Sequence, residues 1–405
     1  MIKIYDEGVT FPKGFTASGV HAGIRKNKSK RDLALIMASE RVPAAAVYTL
    51  NTVKGAPLIV TKRHLADGYA RAILCNSGNA NTCNANGEEI AEATSAMLAA
   101  ASGIDADDVI VASTGVIGQK LSPEPFEKAM PELVARLSVA GGKDAAEAIM
   151  TTDTTLKQAA AEAVIGGKVV RIGGIAKGSG MINPNMATML VFVTTDAAIS
   201  PETLQKAVSR NVRDSFNMIT VDGDTSTNDM FAVMASGKAG NEEILDRTAE
   251  FEKFCQLLSA VSVTLCKKIA ADGEGATKLL ECRVSGAATK ELARKAAKSV
   301  VGSALVKAAM FGSDANWGRV LCALGYSDTA LDAGKADVAF SSAAGRIEVC
   351  LGGSGIDFSE EKAKAVLSEK EITIEVDLGC GVFDAVAWGC DLTYDYVKIN
   401  GDYRT

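Results

Sequence analysis

The chain has 405 residues, 47% of them hydrophobic and 23% charged, with a formal net charge of −6. That length implies two or three domains or one large layered one, with the composition of an ordinary globular protein. No Lys/Arg stripe interleaved with aromatics occurs and no run of 18 apolar residues, so neither a nucleic-acid partner nor a membrane span is expected.

Short apolar runs at 33–38 and 44–49 predict two buried strands, after a basic stretch at 25–31 that reads as a solvated loop. Residues 72–75 enter a Gly/Asn-rich loop at 76–82, and 88–101 carry helical spacing and strong helix formers. A strand at 109–113 ends in Thr114-Gly115-Val116-Ile117-Gly118. Helices follow at 123–137, with Ser122 as a cap, and at 145–149. A strand is expected at 188–194 and a helix opening on Ser200-Pro201-Glu202. Beyond a polar loop at 222–229, the pattern predicts helices at 250–271 and 290–309, then strands at 336–340, 346–351 and 372–376. Strands and helices alternating in this way imply an α/β or α+β protein with layered sheets.

The two histidines, His21 and His64, form no metal-ligand spacing, and His64, within Lys62-Arg63-His64, reads as exposed. A Ser-His-Asp apparatus and a zinc site are therefore not expected, and no metal or cofactor is called for. The 222–229 loop lacks the glycine and glutamate spacing of a calcium loop, and the glycine strings form no nucleotide-phosphate motif. The nine cysteines are scattered with no C-x-x-C pair, and no charged leader with an apolar stretch opens the sequence. Reduced thiols and a cytoplasmic location are the expectation.

The most informative stretch is Lys177-Gly178-Ser179-Gly180-Met181-Ile182-Asn183-Pro184-Asn185-Met186-Ala187-Thr188, which runs into the apolar Met189-Leu190-Val191-Phe192-Val193. A flexible turn and a rigid Asn-Pro step precede a small residue and a threonine. An ordinary turn leading into a strand threonine fits these residue types; they also suit self-scission, in which the Thr188 hydroxyl attacks the Ala187 carbonyl and the resulting ester hydrolyses. Thr188 then holds its own α-amine beside its hydroxyl, an activated-nucleophile pair. An α-amine with an unperturbed pKa of about 7.7–8.0 can act as a base at neutral pH without a histidine. Thr114 and Gly115 offer a hydroxyl and a backbone N–H just past a strand, the kind of donor pair that stabilises an oxyanion.

This segment, with the Ser113-Thr114-Gly115-Val116-Ile117-Gly118 string, resembles the ornithine acetyltransferase family, the bifunctional glutamate N-acetyltransferases of arginine biosynthesis, over nearly the full chain. The resemblance implies a four-layer α/β/β/α sandwich cut between Ala187 and Thr188 into an α chain of 1–187 and a β chain of 188–405. It implies acetyl transfer from N2-acetylornithine to L-glutamate through an acetyl-Thr188 ester, and paired αβ units as a heterotetramer. Whether acetyl-CoA is also a substrate stays open. Thr114 and Gly115 match the family's oxyanion hole. Thr151, Lys177, Glu274, Asn400 and Thr405 match its substrate contacts, with Lys177 on a carboxylate and Glu274 on the ornithine δ-ammonium or the new α-amine. The 311–319 segment also resembles a family signature and is expected near the pocket, without an assigned role. Thr82, Asn84, Gly401 and Arg25 depart from the usual pattern, in loops and tail. Two alternatives are a self-processing hydrolase such as an aminopeptidase of related fold, and an uncut binding protein.

Overall fold

The structure, a computed structural model, describes residues 1–25, 27, 29–183 and 189–401. The first part contains strands β1 (Lys3–Tyr5), β2 (Phe15–Val20), β3 (Leu33–Tyr48), β4 (Tyr69–Asn79), β5 (Val109–Val116), β6 (Lys157–Ile165), β7 (Lys168–Lys177), β8 (Leu190–Thr195) and β9 (Met230–Ala235). Its helices are α1 (Ala56–His64), α2 (Gly87–Ser102), α3 (Glu124–Ala135), α4 (Gly142–Ile149), α5 (Pro201–Asn211) and α6 (Ala249–Ala271).

All nine strands belong to one sheet in the order β1-β6-β7-β8-β9-β3-β4-β5, with β2 on β3. The two strands expected at 33–38 and 44–49 are one long strand. Its first half pairs with β2 and β4, its second with β9, and its register on β4 slips between Met37 and Val42. Such an irregularity bends a strand, and here it folds the sheet into two leaves. Alternate residues of each strand serve different cores. Ile36, Ile73 and Ile110 of one leaf meet Ile175, Phe192 and Ala232 of the other in a shared middle core. Leu35, Leu74 and Val111 face Leu98, Phe126 and Leu133 of α2 and α3. Val191, Val193 and Phe231 face Leu204 of α5 and Phe254, Leu258 and Leu265 of α6. Helices, leaf, leaf and helices give the α/β/β/α sandwich. Burial of both leaf faces explains why these strands read as continuous apolar runs. The helix α4 joins the middle core through Ala145, Ala146, Ala148 and Ile149.

The rest is a smaller α/β unit with strands β10 (Leu279–Ala287), β11 (Asp337–Ser342), β12 (Gly345–Leu351), β13 (Ser354–Gly355), β14 (Glu371–Asp377) and β15 (Phe383–Cys390). Its helices are α7 (Lys290–Gly302), α8 (Ala304–Phe311), α9 (Trp317–Gly325), α10 (Glu360–Leu367) and α11 (Tyr394–Gly401). The sheet order is β13-β12-β11-β14-β10-β15. The apolar residues of α6 continue into this unit's core, so one helix welds the two sheets together. The single helix expected at 290–309 breaks at Ser303, whose hydroxyl accepts from the Val306 N–H and caps α8. The β6–β7 hairpin is a strand pair that periodicity passed over, because the alanine-rich 157–165 run suits a helix equally well.

The expected junction at 187/188 lies outside the described residues, in the segment that connects β7 to β8. Strand β7 pairs antiparallel with β8 from Ile172–Thr195 to Lys177–Leu190. A chain cut there would remain interlocked by strand pairing.

Candidate active site

Three constructions carry the side chains of the site. The first holds the end of β5. Its parallel partner β4 sets Ser77 opposite Thr114 and Gly78 opposite Gly115. Gly115 has φ +131°, and a Cβ there would lie 2.3 Å from the Gly78 carbonyl carbon, so only glycine fits. Asn228 Nδ2 donates to the Ser113 carbonyl at 3.0 Å and to the Ala80 carbonyl at 2.5 Å. Its Oδ1 accepts from the Thr82 and Thr227 hydroxyls. Asn228 thereby fixes the peptide that leads into Thr114. Thr82, one of the departures from the family pattern, is a buried part of this network.

The second construction is a buried ion cluster behind the Gly178-Ser179-Gly180 turn. Lys157 Nζ donates to Asp153 Oδ1 at 2.6 Å and also to Asp272, with all three residues buried. Gly178 N–H donates to Asp153 at 2.8 Å, and the Thr151 N–H donates to the same carboxylate at 2.9 Å. Burial would lift the Asp153 carboxyl, but the Lys157 and Lys177 ammonium groups and the Gly178 N–H hold it below the usual carboxylate range.

The third construction fixes the chain on both sides of the expected scission point. Ser179 accepts from the Glu274 N–H at 2.9 Å and its hydroxyl donates to the Asp272 carbonyl at 2.6 Å. The N–H groups of Met181 and Ile182 donate to Asp222 at 2.6 and 2.8 Å. On the far side, the Met230 N–H donates to the Met189 carbonyl at 2.9 Å, where β8 begins beside β9. Ala187 and Thr188 themselves lie outside the described residues, as does Thr405.

Between these constructions is a pocket of about 290 Å³. Thr114 and Gly115 from β5, Thr151 after α4, Lys177 at the end of β7, Glu274 after α6 and Asn400 on α11 all line it, with Met189. Lys177 Nζ donates to Thr114 Oγ1 at 3.3 Å, and Asn400 Nδ2 donates to Glu274 Oε2 at 2.8 Å. Gly180 lies against Glu274: a Cβ there would come 2.4 Å from the carboxyl and displace it. Burial lowers the Lys177 pKa, with Asp153 and Asp229 opposing that shift. A hydroxyl and an N–H on one wall, a cation beside them and an anion opposite suit a small zwitterionic substrate that passes through an oxyanion. A larger cavity of about 760 Å³, lined by Thr155, Lys268, Asp272 and Lys398 among others, contains none of the expected site residues.

Some readings need correction. His64 is buried, with Nδ1 2.8 Å from the Val109 carbonyl and Nε2 3.2 Å from Glu92, because α1 turns that face onto β5. The 311–319 segment does not line the pocket; Asn316 caps α9 and Trp317 packs on Gly355. The 222–229 loop is more than a failed calcium motif, since Ser226, Thr227, Asn228 and Asp229 all line the pocket. Their signal in the sequence was the density of hydroxyl and amide side chains directly ahead of a buried strand. Among the described residues no group of three or more His, Cys, Asp or Glu could hold a metal ion.

The sequence profile of the ArgJ family matches residues 16–405. The chain is 52% identical over 400 residues to the arginine biosynthesis bifunctional protein ArgJ of Symbiobacterium thermophilum, covering 98% of each. It is 51% identical over 405 residues to the protein of the same name from Caldanaerobacter subterraneus subsp. tengcongensis, covering 100% of each. The crystal structure of the Bacillus halodurans protein of that name is 48% identical with a TM-score of 0.50, covering 52% of this chain and 98% of that one. A profile spanning nearly every residue, with relatives identical at half their positions end to end, means that this chain belongs to the ArgJ family.

Proposed function

We propose that the chain transfers an acetyl group from N2-acetyl-L-ornithine to L-glutamate through an acetyl ester on Thr188. It is an acyltransferase of arginine biosynthesis. The observation that carries this reading is the convergence of Thr114, Gly115, Thr151, Lys177, Glu274 and Asn400 on one pocket, beside the residue that follows Thr188. In the proposed sequence the chain first severs itself ahead of Thr188. The freed α-amine takes the hydroxyl proton as Thr188 attacks the acetyl carbonyl, and Thr114 Oγ1–H and the Gly115 N–H receive the oxyanion. Ornithine leaves with that proton, glutamate attacks the ester, and acetylglutamate is released. Lys177 holds the α-carboxylate and Glu274 the δ-ammonium.

Family membership favours this transfer over hydrolysis to acetate. The solved relative's chain spans about half of this one, a length that suits a severed protein. Acetyl-CoA as a second donor, pairing of αβ units into a heterotetramer and a cytoplasmic setting belong to the same proposal. The test is intact mass spectrometry of purified protein before and after N2-acetylornithine. Two polypeptides, the second beginning at Thr188 and gaining one acetyl group, are the expected result. A single uncut polypeptide, or acetyl on the first piece, would remove the reading.

A further inference from the structure

We infer that Asp229 is the acid of the self-scission step: its carboxyl, buried on the pocket wall at the start of β9, protonates the departing Thr188 nitrogen. This rests on the reading of Thr188 as the residue that cuts the chain. Scission raises a problem that acetyl transfer does not. Before the cut there is no α-amine, so the proton that must reach the leaving amide nitrogen needs another carrier. Both histidines are elsewhere: His21 is an exposed loop residue held by the Lys30 carbonyl, and His64 is behind β5. Among the described residues, three titratable side chains line the pocket, namely Lys177, Glu274 and Asp229. Lys177 already donates to Thr114, and Glu274 already accepts from Asn400.

Asp229 differs from both. It is 2% exposed, and Oδ2 has no hydrogen-bond partner among the described residues. An ionised carboxylate left in that state would be costly, whereas a carboxylic acid has a proton to give. Burial pushes the Asp229 carboxyl well above its ordinary pKa, with the Lys177 ammonium on β7 and the hydroxyls of Ser226 and Thr49 opposing. Its placement is fixed by the strand pair. Leu190 is in register with Met230, and the Met230 N–H holds the Met189 carbonyl. Asp229 is therefore bonded to the residue that grips Met189, and Met189 is bonded to Thr188.

The protons balance. The Thr188 Oγ–C bond to Ala187 forms and the Ala187–Thr188 C–N bond breaks. The nitrogen takes the Asp229 proton, and the proton lost by the hydroxyl restores the acid. Water then opens the ester, leaving a carboxyl on Ala187 and a free hydroxyl and amine on Thr188.

The experiment compares wild type with full-length Asp229→Asn, which keeps shape but cannot shuttle a proton. Denaturing gels and intact mass follow cutting. The expected variant folds, by circular dichroism, and is cut at least ~100-fold more slowly, within the usual range for general acid catalysis. Hydroxylamine, which opens esters but not amides, should not speed it. A folded Asp229→Asn chain cut at the wild-type rate overturns the assignment, as does an uncut one that hydroxylamine opens readily. Should the Asn variant not fold, Asp229→Ala with added formate replaces it: restored cutting supports the acid role, and none on a folded chain overturns it. A wild type that is uncut, or a Thr188→Ala chain that is cut, removes the scission reading itself; the other outcomes touch only Asp229.

Discussion

The ammonium of Lys177 donates to the hydroxyl of Thr114 across 3.3 Å, tying the last residue of β7 to the end of β5. An ammonium can only donate, so it occupies a lone pair of Oγ1 and leaves the hydroxyl hydrogen for another acceptor. In the proposed reaction that acceptor is the oxyanion. Thr114→Val keeps the shape and deletes the donor. Its kcat should fall about 10²–10³-fold, the usual cost of one such donor, with little change in KM. Steady-state kinetics with N2-acetylornithine and glutamate measure this, and a kcat within threefold of wild type would assign the oxyanion to other groups.

The Lys157–Asp153–Asp272 cluster is structural and should show itself in acid. Lys157→Met leaves two carboxylates buried without their cation and should cost about 3–5 kcal/mol at neutral pH, as broken buried pairs do. The folded pKa of Asp153 lies below its unfolded value of about 3.9. Its contribution is therefore complete above that value and lost as pH falls through the folded pKa. Urea unfolding at pH 7 and pH 3 should find the gap between wild type and Asp153→Asn smaller at pH 3 than at pH 7. An equal gap at both would mean the cluster does not depend on that charge.

Asp229 carries the opposite sign. Its folded pKa is raised by burial, so between the ordinary carboxylate pKa and the folded one the native chain binds one more proton than the unfolded chain. That stability is complete at the acid end and declines with rising pH, at most about 1.4 kcal/mol per pH unit. Measured in the uncut Thr188→Ala background, Asp229→Asn should flatten the stability–pH profile above pH 4. Parallel profiles would show that Asp229 ionises normally.

The last helix should matter to activity more than to folding. No side chain of α11 is buried, yet Asn400 reaches Glu274 at 2.8 Å. Removing residues 394–405 should leave the thermal midpoint within a few degrees, since little apolar area is exposed, while raising KM at least tenfold. A collapse of the midpoint with unchanged KM in the surviving fold would reverse that assignment.

How much was legible in advance differs by element. The helix at 250–271 and the strands at 109–113 and 346–351 could be read because a periodic pattern over five or more residues reflects a local contrast of buried and exposed faces. The bend that makes 33–48 one strand could not. Its cause is the competition of β2, β4 and β9 for the same segment, and those partners are distant in sequence. The burial of His64 and the break at Ser303 were likewise decided by packing against other elements.

The sequence alone determined the resemblance that carries the candidate chemistry. The 177–190 stretch and the 113–118 string resemble the ornithine acetyltransferase family, and that resemblance, rather than the residue types alone, implies a threonine nucleophile. Short motifs of fixed spacing are legible without a fold. Only the tertiary structure decided that residues 114, 151, 177, 274 and 400 share one pocket and that Asp229 joins them with an unpaired oxygen. The reason is physical: those contacts depend on strand order and on which groups lose their water, and both are properties of the whole folded sheet.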